Sequence, residues 1–459
     1  MARISLADKM REKMEELNLG SEFTPPVLST GIDVLDYKNG RYTYDEYGAE
    51  RLVLGVDGGK IIMIVGEAGT AKTTLALQIA KTMITPYLDY GAFIQHQDFE
   101  RATTDERAMN ILGIKSKTEL NKCYVHPIKG INTETTFQTV KEIVAVKNCE
   151  EELKEMDKKE RKKFKNPFIV PNVWSSNPDE TMLLPTPLII DSLSMMQPKN
   201  FDEEDELAGN MSAAVAAKRN ASFFRGLIGD FIDGNIVPII VNHINKEINT
   251  NMFAKPTQSL NFLAPGEIMP GGKIAVYLAN TLWKLEAGPK LTEDKEFGIK
   301  GFIVRAILVK SRSNAAGNVC ELVYDQVNGF DNILTNFLLL KQNKLILGSG
   351  IGFYLKGYDS VKFSQKNFKE KYLEHDGLKR HFDELVYETL IKNVPKPNEK
   401  EKLDIDKVIE NENEEFEKIK EEKGLIEVEF EGIEGRYWQN PDDPDEIYNE
   451  DGQLIEFVS

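Results

Sequence analysis

Cysteine is scarce in this chain: Cys123, Cys149 and Cys320 are its only three, far apart and never in a CxxC spacing. That excludes a disulfide-stapled scaffold and offers no zinc-ligand pattern, so the three are expected as buried or partly buried free thiols. Long apolar runs are also missing. No uninterrupted stretch approaches the ~20 residues that span a bilayer, and the opening MARISLADKMREKMEEL is charged and helical in spacing, without the apolar centre of a signal peptide. A cytoplasmic location with no membrane partner is the resulting expectation. Positive charge is in deficit too, with 57 Lys+Arg against 74 Asp+Glu and a net charge of −17. The deficit is local: residues 396–459 hold 22 acidic against 8 basic residues, a net of −14, which leaves −3 for residues 1–395. The acidity therefore belongs to a solvated, interaction-prone tail and does not exclude a nucleic-acid partner for the body.

What is present suffices for a large fold. With 459 residues, 41% of them hydrophobic, the chain can build two or three compact units around at least one sizeable core. Residues 3–19 space Ile4, Met10, Met14 and Leu17 as a narrow apolar stripe on a helix that needs a surface to dock on. FTPPV then breaks that helix, giving an N-terminal unit of 1–26. From there apolar runs rich in β-branched residues, KIIMIVG (60–66), GAFIQHQD (91–98), TPLIIDSLSMM (186–196) and NIVPIIVNHI (235–244), alternate with helical segments at 74–84 and 213–232. Continuous apolar strands separated by helices predict an α/β core over 27–333, with a mostly parallel twisted sheet covered on both faces. Two insertions interrupt it: a polar loop at 41–54, and 147–182, whose run KKERKKFK reads either as a solvated helix or as a phosphate contact. A small C-terminal domain, 334–395, is expected before the acidic tail, 396–459, in which RYWQN and GQLIEFV can still form short strands.

The stretch GEAGTAKTT (66–74) differs by one residue from the phosphate-binding pattern GxxxxGK[ST], since Ala71 stands where the pattern has glycine. Its context fits: an apolar strand precedes it and a helix follows, so backbone N–H groups and the helix N-terminus converge where a polyphosphate would sit. Gly66, Gly69, Thr70, Ala71 and Thr74 form the candidate cradle for ATP. Lys72 would neutralise the β and γ phosphates, and Thr73 would ligate Mg2+. Ala71 is a handicap only if its backbone needs positive φ, where a β-carbon costs about 1–2 kcal/mol. PLIIDS ends a buried strand in Asp191, a second candidate metal ligand. Water activation needs a further carboxylate. Asp98 and Glu100, at the end of GAFIQHQDFE, project to one side of an extended chain, and either can serve. IIVNHI places Asn242 and His243 at the end of another core strand, where the histidine can sense a γ-phosphate or be a buried structural group.

These pieces occur in a telling order. STGIDVLD (29–36), GGKIIMIVGEAGTAKTTLALQIA (58–80), FIQHQDFE, LIIDSLSMM, VNHIN, MFAKP (252–256), PGGK (270–273) and VKSR (309–312) together resemble the RecA-type recombinase core over about 27–330. The similarity is to the phage branch, the UvsX-type recombinases, which also lack the glycine before the loop lysine, use histidine at the γ-sensor position and end in an acidic tail. The resemblance implies a RecA-like P-loop NTPase fold and a DNA-dependent ATPase that assembles on single-stranded DNA, searches for homologous double-stranded DNA and exchanges strands. It further implies a helical homo-oligomeric filament, a recombination mediator and a single-strand-binding protein as partners, and the host-cell cytoplasm as location. By position Asp98 falls where the family has a catalytic glutamate, with Glu100 as the alternative, and His243 falls at the γ-sensor. Lys310 and Arg312 match the pair that reaches a neighbour's ATP, as an arginine finger does. Residues 246–273 resemble the second DNA-binding loop, with Lys246, Lys255 and Lys273 for phosphates, Phe253 to stack on bases, and Gly271 and Gly272 for an irregular path. The 199–211 stretch resembles the first DNA loop but contains EED. The N-terminal helix would dock on the adjacent protomer.

Two other functions compete. A hexameric replicative helicase shares the core, although such helicases usually carry a large domain before the loop and here 65 residues precede it. A single-strand-binding filament protein with a weak or vestigial ATPase is the other, kept open by Ala71 and Asp98.

Overall fold

A computed structural model of the chain describes residues 9–10, 13–14, 25–44, 48–199, 211–247, 258–294, 297–396, 416–428, 436–449 and 454–455. The expected N-terminal helix lies almost wholly outside these residues, as do 200–210 and 248–257, which include Phe253 and Lys255.

The strand-forming runs assemble into one nine-stranded sheet. In chain order it contains β1 (Ile62–Gly66), β2 (Ile94–Asp98), β3 (Tyr124–Val125), β4 (Thr186–Asp191), β5 (Ile236–His243), β6 (Thr281–Leu291), β7 (Gly301–Ser311), β8 (Val319–Asp325) and β9 (Gly329–Phe330). Their spatial order is β9-β8-β7-β6-β1-β5-β4-β2-β3. From β6 to β3 every neighbouring pair is parallel, while β7, β8 and β9 extend the sheet antiparallel.

The two-residue period of a strand explains why β1 is apolar throughout. Ile62 and Ile64 face one layer, where they join Leu75, Ala76 and Ile79 of helix α1 (Lys72–Ile84). Ile61, Met63 and Val65 face the other, with Val140 of α2 (Thr133–Lys147) and Phe224 and Phe231 of α3 (Met211–Asp233). Each large side chain so buried contributes roughly 1.5–3 kcal/mol. The expected α/β class, a mostly parallel sheet with helices on both faces, is what the chain forms. No described helix is long and apolar enough to cross a membrane. The three cysteines are free, Cys123 and Cys149 buried.

Three regional expectations change. The 41–54 insertion is a β-hairpin, not an irregular loop: Arg41–Tyr44 pairs antiparallel with Glu50–Val53, with Tyr42 opposite Leu52. Residues 334–395 belong to the same compact unit as the sheet, since Phe337, Phe363, Phe368 and Phe382 are part of the α1-side apolar cluster. Residues 397–459 form a separate unit, and its described part is ordered structure more than solvated tail. A helix at 416–423 and a four-stranded antiparallel meander, which includes Tyr437–Asn440 and Leu454–Ile455, build it. Lys420 Nζ sits 4.5 Å from the Phe416 ring centre and 4.1 Å from that of Trp438, so a cation and two aromatics supply packing that the charged composition conceals.

Candidate nucleotide site

The 66–74 loop connects β1 to α1 at the carboxyl ends of the parallel strands, the end at which open α/β sheets bind ligands. A β-carbon at Gly66 would stand 2.5 Å from the Leu285 carbonyl oxygen, so only glycine fits that departure from the sheet. Gly69 has φ of +77°. Ala71, at the N-cap of α1, has φ 64° and ψ 27°, the left-handed region. The alanine therefore carries the cost foreseen for it, about 1–2 kcal/mol, and the chain holds it there nonetheless. Thr70 Oγ1 donates to the Glu67 carbonyl at 2.9 Å, and Lys72 Nζ donates to the same oxygen at 2.7 Å. Burial lowers the pKa of Lys72, against the opposing pull of the Asp191 and Glu100 charges.

Asp191 ends β4 in register with Asp98 on β2 and Val241 on β5. Its Oδ2 accepts a 2.5 Å hydrogen bond from Thr73 Oγ1, which ties the start of α1 to the sheet. Burial pushes the Asp191 carboxyl up to about 6; the Thr73 bond works against this rise, and the nearby Glu100 and Asp98 charges add to it. Two hard oxygen donors of this kind suit Mg2+, which takes one or two protein ligands and completes its shell with phosphate and water. The glycine cradle beside them fits the nucleotide that would bring those phosphates.

The two carboxylates expected on one side of the chain separate. The strand stops at Asp98, and the chain turns because Phe99 N–H donates to the Asp191 carbonyl at 2.6 Å and Arg101 takes φ 53°. Asp98 is buried. Its Oδ2 accepts from the Thr103 N–H at 2.8 Å and faces His126 Nε2 at 3.5 Å. Burial alone would raise its pKa, but the His126 and Thr103 contacts outweigh that and bring it down to about 2. Glu100 swings to the other side, where Oε1 lies 2.8 Å from His243 Nε2 and the Lys72 charge is felt. Burial opposes ionisation of Glu100 as well, and contacts with Ser192, His243 and Lys72 reverse the sign, so its pKa is lowered. Lys72, Thr73, Asp191, Glu100 and His243 thus share one place, with Gly66, Gly69, Thr70, Ala71 and Thr74 around them.

Lys310 and Arg312 do not join them. Lys310 pairs with Leu282, which pairs with Met63, about 10 Å down the strand from Gly66. Both side chains instead donate to the Tyr277 carbonyl, at 2.7 Å each, and so cap the short helix α4 (Ile274–Leu278). Burial, then the Arg312 charge, lowers Lys310 to about 8. Lys246 is exposed on a two-residue strand paired with Glu267–Ile268, and Lys273 is exposed at the start of α4. Gly271 and Gly272 take φ of +90° and +92° against Leu193 and Ala217.

Two contributors escaped the sequence reading. Arg107 donates to Thr74 Oγ1 at 3.1 Å, to Tyr324 OH at 2.9 Å and to the Gln326 carbonyl at 2.6 Å, and so ties α1 to the β8–β9 edge. His126 is the partner of Asp98. Neither carries a local signal: Arg107 sits in a charged helix, and His126 follows a two-residue strand. The chain matches no family model, and no curated protein matches it at a significant level.

Proposed function

We propose that this chain is a RecA-type recombinase, a DNA-dependent ATPase that assembles on single-stranded DNA and pairs it with a homologous duplex. The observation that carries this reading is the convergence of the 66–74 loop with its left-handed Ala71, the Thr73–Asp191 bond and the Glu100–His243 pair at the ends of adjacent parallel strands. Lys72 would supply positive charge to the β and γ phosphates, and the free N–H groups of the first turn of α1 would bind their oxygens. Thr73 and Asp191 would hold Mg2+, which when bound neutralises phosphate charge. Glu100, kept ionised by its neighbours, is the carboxylate that orients the attacking water and accepts its proton. His243, whose Nε2 lies 2.8 Å from Glu100 Oε1, is the group that would sense a γ-phosphate. Lys310 and Arg312 lie too far down the sheet to serve their own loop, which favours action on a neighbouring copy and so a filament.

Electron micrographs of the full chain with ATP and single-stranded DNA test this. Helical filaments are expected; closed rings that unwind a forked duplex would replace the reading with that of a helicase.

A further inference from the structure

The two insertions into the core meet. In the 41–54 hairpin Arg41 pairs with Val53 and Thr43 with Arg51, so these four side chains share one face. That face lines a cavity of about 230 Å3, together with residues from 172–180, the turn of a second hairpin formed by Ile169–Pro171 and Thr181–Leu183. Val27, which also lines the cavity, pairs with Asp57, and Asp57 precedes β1. The second hairpin leads into Thr186 at the start of β4. The cavity therefore lies by the amino ends of these strands, the opposite end from the 66–74 loop, and the five residues of β1 alone span roughly 15 Å.

The 172–180 turn is shaped in advance. Both Glu180 carboxylate oxygens are engaged within it, Oε1 accepting from Asn172 Nδ2 at 2.9 Å and Oε2 from Ser175 Oγ at 2.5 Å. Asn172 Oδ1 accepts from the Trp174 backbone N–H at 3.1 Å. The Trp174 ring packs at a steep angle on Tyr87, with centres 5.7 Å apart. Tyr87 OH in turn donates to the Pro171 carbonyl at 2.8 Å and accepts from the Val173 N–H at 3.2 Å. A half-buried indole is thus fixed on one wall, and the other wall carries two guanidiniums. Arg41 Nη2 donates to Asp57 Oδ1 at 2.7 Å, which orients a group that has five N–H donors in all. Arg51 is exposed on the same face. Guanidiniums suit phosphate and an indole suits the face of a base, and a nucleotide carries both groups on one unit.

We propose that this cavity is a second nucleotide site, in which Arg41 and Arg51 take the phosphate and Trp174 takes the base. It requires neither the 66–74 loop nor the recombinase reading. A base and a phosphate on one unit are offered both by a free nucleotide and by one unit of a single strand.

The test is titration of the full-length protein carrying Lys72→Ala, which weakens the 66–74 loop as a competing site, with AMP and with oligo(dT). The readout is quenching of tryptophan fluorescence. Trp283 is buried in the core and Trp438 belongs to the 397–459 unit, so adding Trp174→Phe assigns the signal while keeping a ring against Tyr87. Saturable quenching is expected in the Lys72→Ala protein and should vanish with Trp174→Phe. Adding Arg51→Gln instead should move its midpoint about tenfold or more to higher ligand, the effect of a lost charge-assisted hydrogen bond. Quenching by AMP identifies a free nucleotide as the occupant, and quenching by oligo(dT) without AMP identifies a strand. Where Trp174→Phe fails to fold by circular dichroism, the midpoint shift in Arg51→Gln carries the test. No quenching by either probe, quenching that persists in folded Trp174→Phe, or a midpoint unmoved by Arg51→Gln overturns the proposal. Since Lys72→Ala is present throughout, each of these failures leaves the ATP reading of the 66–74 loop standing.

Discussion

Two carboxylate–imidazole pairs lie within a few residues of each other, and they have opposite surroundings. Asp98 and His126 have side chains 1% and 7% exposed at the floor of a small cavity, and Asp98 Oδ2 is further held by a backbone N–H while its Oδ1 has no partner among the described residues. Glu100 and His243 are about a third exposed and stand beside Lys72 and Asp191. The difference shows how two acids separated by a single residue come to stand in different surroundings. A fully buried carboxylate with fixed donors is a structural anchor, whereas a partly open one facing a cation and an imidazole can meet a water molecule and exchange a proton.

Substitution of each acid by its amide should split the pairs. Glu100→Gln is expected to lower DNA-stimulated ATP turnover by about 100-fold or more, the range of a lost general base, while ATP binding is kept. Asp98→Asn should lower turnover by less than about tenfold. Similar losses in the two variants, or the reverse order, would erase the distinction. A smaller effect concerns stability. The Asp98 carboxyl sits near 2 in the folded chain against an ordinary 3.8, so its stabilising contribution is present above about pH 4 and fades as the pH falls toward 2. The contribution at neutral pH is about 2 kcal/mol. Urea unfolding of the parent should therefore lose more stability between pH 5 and pH 2.5 than Asp98→Asn does. Parallel losses would show that Asp98 is not held ionised by its partners.

Much of this was legible in the sequence. Continuous β-branched runs announce parallel strands because both faces are covered, and β1, β4 and β5 follow from them. The loop was legible as a near-match, and whether Ala71 strains it was a question only backbone angles could answer. Asp98 and Glu100 do not project to one side as expected, because the two-residue period that aligns them holds only while a strand continues, and the Phe99–Asp191 bond ends it. Arg107 was invisible because its role depends on partners distant in the chain. The meander at 426–455 was concealed by charge, since its packing uses Trp438, Phe416 and the stem of Lys420.

If the 66–74 loop binds ATP for hydrolysis on DNA, as proposed, Lys72 is the residue on which that activity depends most directly. ATP turnover by the full chain should rise on addition of single-stranded DNA, and Lys72→Ala should abolish it in a protein that still folds. Absence of turnover in the parent, or turnover undiminished in Lys72→Ala, would contradict the account.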